Sequence, residues 1–177
     1  MSRSGLPLGL TALSYARDFV GIREEPGNRG PAVEYFLRQT GLGPGWPWCA
    51  AFVNGVIDIA CAVHNVRSPF EGTIREAYVQ DYVDYARSRT WLVPFSRAYP
   101  GCLFALYSEE KRRYAHIGFV ANVATTNGEY WTIEGNTNED GDREGHSVLE
   151  KQRSPGIHTL FLDWAPLKTA GPRWVTV

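Results

Sequence analysis

The sequence carries almost no excess of charge. Its 18 Lys and Arg face 19 Asp and Glu, a formal net charge of −1 over 177 residues. A balance like this supplies no global field pointing to nucleic acid or to an anionic membrane. Cysteine is scarce and odd in number, at three. That argues against a disulfide framework and leaves at least one thiol free. No Cys-x-x-Cys pair or similar spacing occurs, so the common zinc patterns are missing. No apolar run has the length of a membrane span, and Met1 to Leu13 lacks the apolar stretch of a secretory signal. The expectation is a chain made in the cytoplasm that reaches any other compartment by release or by a carrier. Repeats and low-complexity tracts are also missing.

What is present is ordinary for a globular protein: 44% hydrophobic and 21% charged residues. The length predicts one domain over residues 1–177, with 166–177 as a surface extension. Six Trp and nine Tyr are read first as core, and second as walls of a groove for sugars or extended peptides.

The chain divides into a helical half and a strand half. Helices are expected over Thr11 to Val20, over Ala32 to Gln39 after Pro31, over Ala50 to Val63, and over Thr73 to Arg89. After Trp91 come short apolar runs of strand type at Gly101–Tyr107, Ile117–Val123 and Tyr130–Ile133, with further strands at Ser147–Gln152 and Thr159–Trp164. Asn127-Gly128 is a hairpin signal between the second and third runs. Helices followed by an antiparallel meander define an α+β domain with a sheet of about five to six strands.

The organising stretch is Trp46-Pro47-Trp48-Cys49-Ala50-Ala51-Phe52-Val53. The loop Gly41–Pro47 holds three glycines and two prolines and cannot be helical. Phe52, Val53, Val56, Ile57, Ala60 and Val63 recur at helical period. Cys49 therefore falls at the first turn of a helix, where unpaired N–H groups and the positive end of the dipole favour thiolate over thiol. Cys61 and Cys102 sit inside apolar runs and read as core. A bridge between them is possible by count but runs against the lack of an export signal.

A reactive thiol needs a base. His64 lies at the far end of the Cys49 helix, about 20 Å away at 1.5 Å per residue. His146 falls in a Gly/Asp-rich loop and His158 in a late turn. His116 opens a strand after the charged turn Glu109–Arg113, a rim position from which a side chain reaches a neighbouring element. The next strand ends with Glu134 and Asn136, two apart and so on one side. A two-residue turn at Asn127-Gly128 would set His116 opposite Glu139. A longer turn or a bulge would bring Asn136 or Glu134 level with it. Either group would fix the tautomer of the histidine. The sequence leaves that choice open.

Three blocks now carry a resemblance. Pro47-Trp48-Cys49-Ala50-Ala51-Phe52-Val53, His116-Ile117-Gly118-Phe119-Val120 and Ile133-Glu134-Gly135-Asn136 resemble the signatures of the CHAP group of amidohydrolases and peptidases. These are papain-like enzymes related to NlpC-type cell-wall hydrolases. Gly21-Ile22-Arg23-Glu24 and Asn28-Arg29-Gly30 join the likeness, which spans roughly residues 10–155. It implies a papain-like fold and cleavage of an amide or peptide bond of peptidoglycan by acyl transfer. It assigns Cys49 as nucleophile, His116 as base and then acid, and Glu134 as orienter, with Asn136 supporting or sharing that role. The oxyanion would be held by the Cys49 N–H and a second donor upstream. Asn28 is the candidate there, with a plain turn residue as the competing reading. Trp48, beside the nucleophile, is either buried or a substrate wall.

No cofactor is expected. Asn136, Asn138, Asp140 and Asp142 place oxygens at alternate positions with Gly141 sixth, like the start of a calcium loop. An Asp at the first position and a Glu at the twelfth are missing, which favours a solvated turn. The resemblance implies peptidoglycan as partner. Without an export signal it suits a phage lysis enzyme or an antibacterial effector, whose protein partners would be an immunity or inhibitor protein or a delivery system. The rival functions are a cysteine peptidase or deamidase acting on proteins, and a non-catalytic wall-binding module.

Overall fold

The computed structural model describes residues 3–124, 128–138 and 145–165. Four α-helices come first: α1 (Leu8–Asp18), α2 (Pro31–Gln39), α3 (Cys49–Val63) and α4 (Val79–Ser88). Six strands follow: β1 (Leu92–Val93), β2 (Leu103–Ser108), β3 (Arg113–Ala124), β4 (Glu129–Thr137), β5 (Ser147–Arg153) and β6 (Thr159–Leu162). They form one antiparallel sheet in the order β1-β6-β2-β3-β4-β5. The fold is α+β. The expected C-terminal extension, 166–177, lies outside the described residues, as do Asn127 of the expected turn and Glu139.

Helix α3 is the centre of the helical layer. It is apolar nearly all round, with Ala50, Ala51, Phe52, Val53, Val56, Ile57 and Ala60 at most 1% exposed. A helix with no polar face must be covered on every side. Helices α1 and α2 pack against one side of it, and strands β3 and β4 against another. Phe52 stands edge-on to Phe19, Phe36, Trp48 and Phe119, which ties three helical segments to β3. A smaller apolar cluster of Cys102, Phe104, Val120, Tyr130 and Phe161 lies on the other face of the sheet, packed by Phe95, Ala98 and Tyr99.

Two expectations are corrected. The fourth helix begins at Val79, not Thr73. Thr73 Oγ1 donates back to the Phe70 and Pro69 carbonyls, at 2.8 and 3.2 Å. The Arg75 backbone N–H and guanidinium go to the Asp81 carboxylate, and Tyr78 is extended. Local side-chain bonds hold this stretch in turns despite its helical spacing. Strand β3 begins three residues before His116, at Arg113, so the histidine does not open it.

The β3–β4 register also differs from a two-residue turn. Glu129 pairs with Ala124, leaving four residues in the connection, and a bulge at Ala121 shifts the ladder once more to give Phe119 opposite Ile133. Both changes slide β4 along β3 so that, continuing the register, Asn136 falls level with His116 in place of Glu139, and Glu134, level with Gly118, reaches the histidine diagonally.

Candidate active site

Cys49 is the first residue of α3 and is 6% exposed. As a thiol it donates to the Ala115 carbonyl across 3.8 Å. As a thiolate it accepts from the backbone N–H groups of Ala50 and Ile117. Burial pushes this thiol up. The hydrogen bond and charge of His116 together with those two N–H groups outweigh burial, and the net shift is down.

His116 meets the thiol because β3 is irregular there. The β2–β3 register slips between Leu106 and Tyr107, which leaves Ala115 as an extra residue in β3. A bulge of this kind bends the strand and re-aims the next side chain. Tyr114 and Ile117 then both face the helical core, while His116 falls on the other face beside Phe104. His116 Nε2 lies 2.6 Å from Glu134 Oε2. Its other ring nitrogen stays free of Glu134, and Cys49, on the same cleft, acts on the imidazolium. Burial pushes the imidazolium down, but the bonds to Cys49 and Glu134 and their charges raise it to about 9. Thiolate and imidazolium stabilise each other.

Glu134 is fully buried. A lone carboxylate could not stay ionised there. It has three partners: His116, the Thr132 hydroxyl at 2.5 Å, and Arg153, whose Nε and terminal nitrogen reach the two oxygens at 2.5 and 2.6 Å. Burial pushes the carboxyl up. Arg153 and His116 overcome that and hold it well below the usual carboxylate range. Gly118 leaves the space that Glu134 crosses; a Cβ there would meet Glu134 Cγ at 3.1 Å and the Ile133 carbonyl at 2.7 Å.

The Asn136 amide hydrogen-bonds elsewhere than to His116. Its Oδ1 accepts the Trp48 backbone N–H at 2.7 Å, and its Nδ2 donates to the Gly145 carbonyl at 2.7 Å. It fixes the residue before the nucleophile instead. Trp48 is fully buried, which corrects the reading of it as a substrate wall. The ring fills the core beside Phe52, and its Nε1 donates to Glu24 Oε2 at 2.7 Å. Glu24 Oε1 also accepts the Asn28 N–H at 3.3 Å. Asn28, at φ 55, turns the loop into an open cleft of about 590 Å³ that also meets Cys49, His116, Asn136, Lys151 and Arg153. It thus faces the same space as the thiol.

The other candidates lie apart. His64 caps the end of α3 and shares a 2.8 Å hydrogen bond with Thr11. His158 stacks near Tyr107. Cys61 and Cys102 are buried free thiols pushed up to about 12, mainly by burial. Of the four calcium-loop residues, Asp140 and Asp142 lie outside the described residues. The Asn136 amide is committed at both ends, and the Asn138 carbonyl accepts from Lys151 Nζ. Among the described residues, no helix is long and apolar enough to cross a membrane.

Sequence reading missed Arg153 and Thr132, and it placed Gly118 and Glu24 in the resembling blocks without a role of their own. Thr132 was readable in principle, since it alternates with Glu134 on one strand. Arg153 was not, because it reaches Glu134 from a neighbouring strand whose register the sequence does not state. Comparison with protein-family models, with curated proteins and with solved structures finds no match to this chain.

Proposed function

We infer that this chain is a papain-like cysteine hydrolase of the CHAP type, cleaving an amide or peptide bond of peptidoglycan. One observation carries the reading. A cysteine at a helix start shares a cleft with a histidine that lowers its pKa, and that histidine's Nε2 is held by a buried, ionised carboxylate. A structural cysteine needs no such partners. The α3 helix lying on an antiparallel sheet, with nucleophile and base on opposite sides of their junction, suits a papain-like arrangement. The choice of peptidoglycan rests on the three sequence blocks.

The chemistry is acyl transfer. Cys49 thiolate attacks the carbonyl carbon, and the carbonyl oxygen takes the negative charge. The Cys49 backbone N–H, with no helical acceptor at the first position, and the Asn28 side chain on the cleft wall are the donors for it. His116 imidazolium gives its proton to the leaving amine, and a thioester remains. Water then loses a proton to His116 as it attacks the thioester, and the acid product departs. Glu134 keeps the ring in one tautomer throughout and stabilises its charged form.

Digestion of purified peptidoglycan, with mass analysis of the fragments, tests this. The wild type releases new fragments and Cys49→Ala releases none. No fragments from the wild type, or equal release by the variant, overturns the reading. Cleavage of protein substrates with peptidoglycan left intact would move the activity to the peptidase class.

A further inference from the structure

We propose that Arg153 is a positioning residue of this site: it holds Glu134 ionised and aimed at His116, and it sets the pH range of the thiolate–imidazolium pair. The assignment rests on the Cys49–His116 reading above.

The geometry is specific. Arg153 is the last residue of β5, opposite Tyr130 on β4. Its side chain leans along the sheet to Glu134 and engages both carboxylate oxygens, Nε on Oε1 and a terminal nitrogen on Oε2. A planar guanidinium makes this two-point contact; a lysine ammonium cannot. Oε2 is the same atom that meets His116, at 2.6 Å. The carboxylate is thereby fixed on two sides, and its rotation away from the imidazole is blocked. The Phe104 ring lies beside both cations, 5.8 Å from the guanidinium carbon and 6.2 Å from the imidazole.

The charge consequence follows from counting. Cys49 thiolate, His116 imidazolium, Glu134 carboxylate and Arg153 guanidinium sum to zero. Without Arg153 the same cluster holds one net negative charge in a largely buried place. It then binds protons more readily at every step, so both the protonation of the thiolate and the loss of the imidazolium proton move to higher pH. The other titratable groups that face this cluster are Tyr82 on α4, a buried phenol that feels the Cys49 charge, Tyr130 on β4, across from Arg153, and Lys151 on β5, bonded to the Asn138 carbonyl. Glu109, Glu110 and Lys111 stand at the cleft rim. These are present in wild type and variants alike, and leave the direction of the difference unchanged.

The test needs no substrate. The rate of Cys49 alkylation by iodoacetamide is followed against pH, with the modified cysteine identified by mass spectrometry. The wild type shows a limb below that of an ordinary thiol and a second limb where His116 loses its proton. In Arg153→Gln both limbs rise by about one pH unit or more, as expected when a facing charge is removed. In Arg153→Lys the charge stays and the fork is lost, so the limbs stay near their wild-type positions while the rate falls. Unmoved limbs in Arg153→Gln overturn the proposal and leave the nucleophile reading standing. If Arg153→Gln does not fold, displaced limbs in Arg153→Lys overturn it. A wild type lacking the low limb overturns both readings. A purely structural arginine would lower the rate of Arg153→Gln without moving its limbs.

Discussion

Glu134 reaches His116 through the space that Gly118 leaves empty. A Cβ on Gly118 would stand 2.7 Å from the Ile133 carbonyl, 2.8 Å from Phe104 Cε1 and 3.1 Å from Glu134 Cγ. Two of these are closer than real contacts allow, and one is to backbone, which yields least. Gly118→Ala is therefore expected to lower the unfolding free energy by about 1–3 kcal/mol, the range for overpacking. Displacing the carboxylate also weakens the imidazolium, so Cys49 alkylation should shift towards an ordinary thiol titration. Denaturant unfolding and the alkylation curve measure the two effects. A variant as stable and as reactive as the wild type would show that the space is not needed.

The combined contribution of His116 and Glu134 to stability should be greatest in mildly acidic solution. His116 is raised from 6.5 to about 9: burial opposes the charge, and Cys49 and Glu134 more than offset it. A raised histidine stabilises the folded state fully below about 6.5, and that contribution fades as pH climbs through about 9. Glu134 runs the other way. Its carboxyl is held below its ordinary 4.5, so its contribution is complete above about 4.5 and is lost as pH falls through the folded value. In urea unfolding these two contributions should appear as a decline above about 6.5 and another below about 4.5, set against Cys49, whose lowered thiol adds stability as pH rises, and Asp58, raised to about 6 by burial, which removes some as it ionises. In His116→Gln the alkaline decline should flatten. An unaltered decline would assign it to other groups.

The three thiols should differ sharply in reactivity. Cys61 and Cys102 are buried and pushed up to about 12, while Cys49 sits below its ordinary value. Only the thiolate is alkylated. At a pH of about 6 the folded protein should gain one label, on Cys49, at least about 100-fold faster than on either other site. Peptide mapping after timed quenching reads this directly. Comparable labelling of Cys61 would mean that α3 opens in solution.

The helix start at Cys49 was legible because two local signals agree there. Gly and Pro exclude helix before it, and apolar residues at helical spacing demand helix after it. The His116 and Glu134 blocks were legible as strand residues on facing segments. Their contact was not, because it depends on a four-residue connection and two bulges, at Ala115 and Ala121. A bulge leaves no mark in apolar alternation beyond a one-residue slip. Arg153 was hidden for the same reason, since a cross-strand partner is named only by register. Residues 73–78 misled because their spacing is helical while Thr73 and Arg75 spend their hydrogen bonds locally. Trp48 was ambiguous because a Trp beside a nucleophile serves core and groove equally well until its burial is seen.

Asn136 offers the clearest separation of positioning from orientation. It adopts φ 54, and its amide joins the Trp48 N–H to the Gly145 carbonyl. Asn136→Gly keeps the left-handed backbone at ease and loses both bonds. The Trp48 N–H then lacks its acceptor, a cost of about 1–3 kcal/mol. Asn136→Ala adds the left-handed strain of an L-residue, about 1–2 kcal/mol more. Because Trp48 immediately precedes the nucleophile, each variant should lower activity in step with stability. The limbs of the alkylation–pH curve should stay in place in Asn136→Gly, because His116 donates its Nε2 hydrogen bond to Glu134. A displaced alkaline limb there would return Asn136 to the orienting role that its place in the third sequence block implies.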